Sequence, residues 1–385
     1  MNYYTIPKNN CVIQLRPIFS PEIKPVISHS FLYYLDNMQK QISGIPLADI
    51  EYIKQNVNPL EFVHTPVPLS SFSVSKIKAE SNIFYELMEL FQVCGLMDFI
   101  TEPLKYTIGH IGPNNISTGY LMDMLREDKD DNIISMDFEQ TLIVETLLQH
   151  NDNNPLSNKF DILVMEWCES DYNDIRANIR NLVMALMVAS KTQNTKGLAV
   201  VKIDNLFYKP ILDIIFIFSS LYDKVTIVKP TNSSILKGER YLVCKGFCEN
   251  INIENITGIN NQIDDAFIRA VCNKEIGLIT SIMDQDLPYY FVNRIEEPNA
   301  IIGQQQLEAY DHVVNIYKNK NKDEKLETLK RNHIQKCIQW CEKNQIPHNK
   351  FPEKVNIFLL PKKRELDQLS SSPSTSASSG SEEDN

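Results

Sequence analysis

An α/β fold built on a doubly wound, mainly parallel sheet is what this sequence predicts, and three observations point to it. From about residue 81 to residue 246, short apolar runs alternate with stretches of helical periodicity. Several of those runs, such as Ile162-Leu-Val-Met165 and Leu198-Ala-Val-Val201, are apolar without alternation, as strands covered on both faces are. The last two runs, 224–228 and 240–245, are separated by turn residues with no room for a helix, so they should form an antiparallel pair at one end of the sheet.

Each element follows from its own residues. Ile83, Phe84, Leu87, Met88, Leu90, Phe91 and Leu96 recur at helical spacing behind a capping Ser81, predicting a helix packed on the sheet. The alternation then predicts a strand at 106–108, a helix at 117–126, a strand at 133–137, a helix at 141–148 and a strand at 161–165. A helix at 174–191, a strand at 198–202 and a helix at 206–222 complete the series before the final pair. Residues 1–75 hold scattered prolines and short apolar runs, and read as an irregular N-terminal extension with one helix near 30–41. The core domain is expected over 76–250, followed by a mainly helical region over 251–365 (helices at 263–282 and 305–342). A Ser-rich acidic tail at 370–385 is too poor in apolar residues to order.

Composition narrows the function classes. A net charge of −11 over 385 residues argues against a basic coat for nucleic acid, so any RNA should meet a local basic patch. The most apolar segment, 211–221, is about half the ~20 residues that a membrane helix needs. The eight cysteines are scattered and mostly lie in apolar runs, which reads as reduced core thiols in a cytoplasmic setting. His333, Cys337 and Cys341 share a helix face, but they lack the close Cys-x-x-Cys spacing of a zinc knuckle, and no metal site is expected. No phosphate-binding P-loop, zinc-protease helix or serine-hydrolase elbow is present.

The chemistry concentrates in Gly197-Leu-Ala-Val-Val-Lys202, then Lys224-Val-Thr-Ile-Val-Lys-Pro-Thr-Asn-Ser-Ser234, then Gly238-Glu-Arg-Tyr-Leu-Val-Cys-Lys-Gly246. This arrangement resembles the FtsJ-like ribose 2′-O-methyltransferases, including cap-specific members, in which a strand ending in Lys is followed by a Lys-Pro-x-x-Ser turn and a Ser-x-Glu-x-Tyr strand. The resemblance implies a Rossmann-like class I methyltransferase fold, S-adenosyl-L-methionine as cofactor and RNA, including capped mRNA, as partner. A 2′-hydroxyl is a weak nucleophile, so such chemistry needs positioning and a cation beside the developing alkoxide. By resemblance Lys202 is that cation, Glu239 the carboxylate that orients it, and Glu166, closing Phe160-Asp-Ile-Leu-Val-Met-Glu166 where the family has Asp, assists. Lys229, Lys237, Arg240 and Lys245 are candidates for phosphate contacts, with solvated strand-end charges as the plain alternative.

The cofactor loop maps onto Tyr106-Thr-Ile-Gly-His-Ile-Gly-Pro-Asn-Asn-Ile-Ser117, giving Gly109, Gly112, Pro113 and Asn114 as cofactor-binding candidates. Asp137 is placed to accept from the adenosine, or equally to cap a helix. Asn114 and Asn115 stand where the family has paired glycines. Glu86 stands where it has a lysine, a reversal that cannot perform the same electrostatic task. Lys76 or Lys78 would have to supply that cation. Trp167 or Tyr241 could stack an RNA base, with a place in the core as the equal alternative for Trp167.

Two functions therefore stand open: an S-adenosylmethionine-dependent RNA 2′-O-methyltransferase, or an inert methyltransferase fold kept as an RNA-binding or scaffold subunit of a partner. Frequent Asn, Ile and Lys are in keeping with an AT-rich viral genome.

Overall fold

The computed structural model describes residues 2–349 except 10, 47–48, 51–52, 54–55, 65–72, 103, 128–129, 137–158, 168–173, 205, 249–261, 264–266, 268, 270–276 and 320–322. The expected helix at 141–148, the apolar run 355–360, the tail and Asp137 lie outside the described residues.

The expected α/β architecture is present. The main sheet holds β1 (Asn2–Ile6), β3 (Thr107–Ile111), β4 (Asn132–Met136), β5 (Phe160–Met165), β6 (Gln193–Ile203), β7 (Tyr222–Lys229) and β8 (Arg240–Phe247). Their order is β1-β7-β8-β6-β5-β3-β4. Strands β4, β3, β5 and β6 pair in parallel, and β8 enters antiparallel between β6 and β7. That inserted hairpin strand on a doubly wound sheet is the class I methyltransferase arrangement expected from the sequence.

The sheet is covered on both faces because its strands are apolar on both. One layer packs Leu163, Met165, Ala199, Val201 and Leu242 against α5 (Ile175–Thr192) and α6 (Lys209–Leu221). The other packs Ile108, Ile162, Val164, Val200 and Val243 against α2 (Ile83–Val93), α4 (Asn115–Leu125) and α8 (Asp323–Lys343). Two further helices, α1 (His29–Ser43) and α7 (Tyr289–Lys318), lie side by side, with the ring of Phe31 seated where Gly303 leaves no side chain. A short helix, α3 (Met97–Ile100), leads into β3. No helix among the described residues is long and apolar enough to cross a membrane.

Two segments differ from the sequence expectation. Residues 2–6, read as irregular, form β1, an edge strand antiparallel to β7 that turns Tyr4 and Ile6 inward. Residues 278–283, read as part of a helix, form β9 (Leu278–Met283), which pairs with β2 (Leu15–Ser20). The reason is long-range pairing: a six-residue apolar run carries no periodicity that separates strand from buried helix, and its partner lies at the other end of the chain. Asp213 fixes this ribbon to the core, accepting from Ser281 Oγ, from the N–H of Ile282 and from Lys209 Nζ. Burial raises its pKa, while Lys209 and these hydrogen bonds oppose the rise.

Candidate functional site

The topology gathers the expected residues on one edge of the sheet. In a doubly wound sheet, ligands bind outside the carboxyl ends of the strands, where neighbouring connections leave in opposite directions. Here that point lies between β3 and β5, because β3 is flanked by β4 on one side and by β5 on the other. Gly112 follows the end of β3 and Glu166 follows the end of β5. Lys202 lies at the end of β6, and the register sets it directly across from Tyr241 on β8.

Lys202, Glu239 and Glu86 form one buried charge cluster. Lys202 Nζ lies 3.0 Å from Glu239 Oε2 and 4.0 Å from Glu86 Oε2. It also sits 5.8 Å from the centre of the Tyr241 ring. Glu86 reaches in from α2 and accepts a hydrogen bond from the Tyr241 hydroxyl. Burial raises the pKa of Glu86, Lys202 opposes this, and the charge of Glu239 reinforces it. Burial pushes Glu239 upward too, but Lys202, Lys237 and Lys229 together outweigh it and its pKa falls. The lysine is thus held between two acids, one of which is driven toward its neutral form. Lys76 and Lys78 have exposed side chains at the start of the segment leading into α2.

Glu166 is brought to the switch point but faces the cofactor loop. It is 1% exposed, its Oε1 accepts from the backbone N–H of Asn114 at 2.9 Å, and the same oxygen lies 3.3 Å from His110 Nε2. Gly112 has φ of 141°, and a Cβ built there would meet Glu166 Cγ at 2.5 Å and the Glu166 carbonyl oxygen at 2.7 Å. Gly109, in contrast, is needed for packing: its Cβ position is taken by the rings and methyls of Phe160 and Leu163. Pro113 is exposed beside the loop.

These residues do not fit S-adenosylmethionine at the switch point. The Glu166 stem is packed on Gly112 and its carboxylate takes the N–H of Asn114, the residue that precedes α4, so the anionic carboxylate of the cofactor, brought to that N–H, would compete with it.

The expected phosphate contacts separate by position. Lys229 is buried, and its Nζ donates to the carbonyls of Ser234, Lys237 and Glu239. Burial lowers its pKa to about 8. Arg240 is also buried, donating to Gly238 O and Asn299 Oδ1. Lys237 is half-buried beside Glu239. Lys245 is across from Leu198, toward the opposite edge of the sheet. At about 3.3 Å per residue it lies roughly 15 Å along β8 from the site. Trp167 is buried, and its Nε1 donates to Lys202 O at 2.8 Å, bracing the strand end. Tyr241 is buried as well.

Two contributors are not among the residues singled out from the sequence. His110 lies fully buried in β3, its ring nitrogens without a hydrogen-bond partner among the described residues, and its Nε2 lies 3.3 Å from the Glu166 oxygen. Glu89, one turn beyond Glu86 on α2, accepts from Thr231 N, Thr231 Oγ1 and Trp340 Nε1, which fixes the turn after β7. The signal in the sequence was the pair Glu86-x-x-Glu89 in an otherwise apolar helix, since buried acids need partners.

No curated protein sequence matches the chain. Among solved structures, a Plasmodium falciparum protein described as a ribosomal RNA methyltransferase is 18% identical, with 43% of this chain and 97% of that one covered and a TM-score of 0.34. Phosphoethanolamine N-methyltransferase 2 of Haemonchus contortus, with S-adenosylhomocysteine, is 13% identical over 42% of this chain and 38% of that one, at a TM-score of 0.25. The apo methyltransferase SibL is 9% identical over 57% of this chain and 74% of that one, at 0.24. Residues 167–299, about a third of the chain and the part that carries Lys202, Lys229 and Glu239, match the family model described as poxvirus mRNA capping enzyme, small subunit.

Proposed function

We propose that this chain is a non-catalytic methyltransferase-fold subunit of an mRNA-capping enzyme, acting through a larger catalytic partner. The observation that carries this reading is the buried Glu166 carboxylate, packed on Gly112 and bound to the Asn114 N–H at the switch point where doubly wound sheets hold ligands. Glu86 supports it from the other side, as an acid facing Lys202 where the resemblance calls for a lysine. The match of residues 167–299 to a small-subunit family supports the setting and the expectation of a partner.

A second reading, the RNA 2′-O-methyltransferase, is favoured by one observation: Lys202 and Glu239 meet at 3.0 Å on the strand edge where a ribose hydroxyl could be held. The experiment that decides compares methyl transfer from labelled S-adenosylmethionine to capped RNA by this chain, by the catalytic capping subunit, and by both together. The proposal expects no transfer by the chain alone, a stable complex on gel filtration, and a higher rate for the mixture. Transfer by the chain alone that is lost in Lys202→Ala would overturn it.

A further inference from the structure

We infer that Glu166 is an internal ligand: its side-chain carboxylate occupies the anion position at the N-terminus of α4 that a bound small molecule would otherwise fill. The inference deepens the non-catalytic reading and rests on it, but its failure can be told apart, because it concerns the loop's occupancy and not the partner.

The geometry points to this in three independent ways. First, the opening turn of an α-helix presents backbone N–H groups without intrahelical partners, and these attract an anion. Helix α4 meets this need with Glu166 Oε1 on the N–H of Asn114, whereas the side chain at its cap position makes no such bond. Second, His110, fully buried on the adjoining strand and without a hydrogen-bond partner among the described residues, has its Nε2 at 3.3 Å from the same oxygen. The carboxylate is therefore approached from two elements, as a bound anion would be. Third, the loop is shaped around the occupant: Gly112 at φ 141° leaves its Cβ position to Glu166 Cγ. The backbone also closes on itself there, with the N–H of Glu166 donating to Ile111 O and that of Gly112 to Met136 O. An occupant covalently attached to the chain carries no association entropy, so the loop stays in its filled form with nothing bound.

The chemical class that would replace it is a small anion, and the two probes are S-adenosylhomocysteine, a nucleoside that bears a carboxylate, and inorganic phosphate. Thermal denaturation of the full chain and of Glu166→Ala and Glu166→Gln, each alone, with 1 mM S-adenosylhomocysteine (about the concentration at which weak sites fill) and with inorganic phosphate, tests the assignment. The unaltered chain is expected to melt at one temperature whatever is added. Glu166→Ala should melt a few degrees lower and regain part of the loss with the nucleoside; recovery with phosphate alone would assign the position to anions in general. Glu166→Gln, which keeps the volume, should respond to neither. Amide exchange of the segment 112–117 gives a second readout, expected to quicken in Glu166→Ala and to slow again with the ligand. A rise in the melting temperature of the unaltered chain with S-adenosylhomocysteine overturns the inference, and so does a folded Glu166→Ala that neither probe stabilises. Either result leaves complex formation with the catalytic subunit to be judged by its own experiment.

Discussion

Lys202 Nζ and Glu239 Oε2 lie 3.0 Å apart, one on the end of β6 and the other on the turn that opens β8, so a single ion pair ties two neighbouring strands at the edge that faces a ligand. Both are nearly buried, and a second acid, Glu86, approaches the same ammonium at 4.0 Å, so that two carboxylates share Lys202. The predictions below follow from that imbalance and from the loop beside it.

Lys202→Met should destabilise the fold by roughly 3 kcal/mol, because it leaves buried carboxylates uncompensated. Urea denaturation at pH 7 measures this. A loss under about 0.5 kcal/mol, typical of an exposed charge, would show that the cluster is solvated instead.

Glu86 and Glu239 should give stability opposite pH slopes. The raised pKa of Glu86 means that the folded state holds its proton more tightly than the unfolded chain, so its contribution is complete below about 4.5 and is lost as pH rises through the folded value. The lowered pKa of Glu239 acts in reverse: its contribution is complete above about 4.5 and is lost as pH falls through its folded value. Glu86→Gln, which can still accept from the Tyr241 hydroxyl, should therefore match the unaltered protein near pH 5 and exceed it at pH 8. Urea midpoints at those two pH values check this; an equal offset at both would contradict the assignment.

Lys229→Met should cost about 3 kcal/mol, since it strands three carbonyl groups that the ammonium now satisfies, one buried and two partly buried. A phosphate-contacting lysine would instead leave stability unchanged and weaken RNA retention in a salt-dependent way. Melting and RNA filter binding on the same variant separate the two roles.

Gly112→Ala should be worse tolerated than its size suggests. The left-handed φ of 141° is strained for a residue with a side chain, and the new methyl would meet the Glu166 backbone oxygen at 2.7 Å, which cannot rotate away. A loss of at least about 2 kcal/mol, or insoluble expression, is expected. Gly119, with open space around its Cβ position, serves as the control: Gly119→Ala in the middle of α4 should stabilise slightly.

What could be read from sequence and what could not divides along the range of the interactions. Strands β3, β5, β6 and β7 announce themselves by apolar runs between helical patterns, and those runs become the layers of the core. Lys202 and Glu239 were legible through the resemblance of their strand, turn and strand to the FtsJ-like pattern, and the two side chains meet at 3.0 Å. Strand β1 was not, because Asn2-Tyr-Tyr-Thr-Ile6 gains its meaning only from a partner far along the chain. The same holds for β9 with β2. The burial of Lys229 and Arg240 was hidden for a different reason: a cation satisfied by carbonyl oxygens leaves no complementary charge in the sequence to reveal it. Glu166 was seen as a longer version of an expected acid, and its actual direction, back toward Asn114, depends on the glycine across from it.

The placement of β1 at the sheet edge has a consequence for how the chain is made. Ile6 pairs with Val225, and Asn2 with Lys229, so β1 waits for a partner synthesised about 220 residues later. At translation rates of roughly 5–20 residues per second, that is an interval on the order of 10 to 40 s. Meanwhile Tyr4 and Ile6, buried in the finished protein, remain uncovered and β7 has no neighbour on that side. Strand β1 thus pairs only after 225–229 has been made, and its inward side chains stay open to solvent until then.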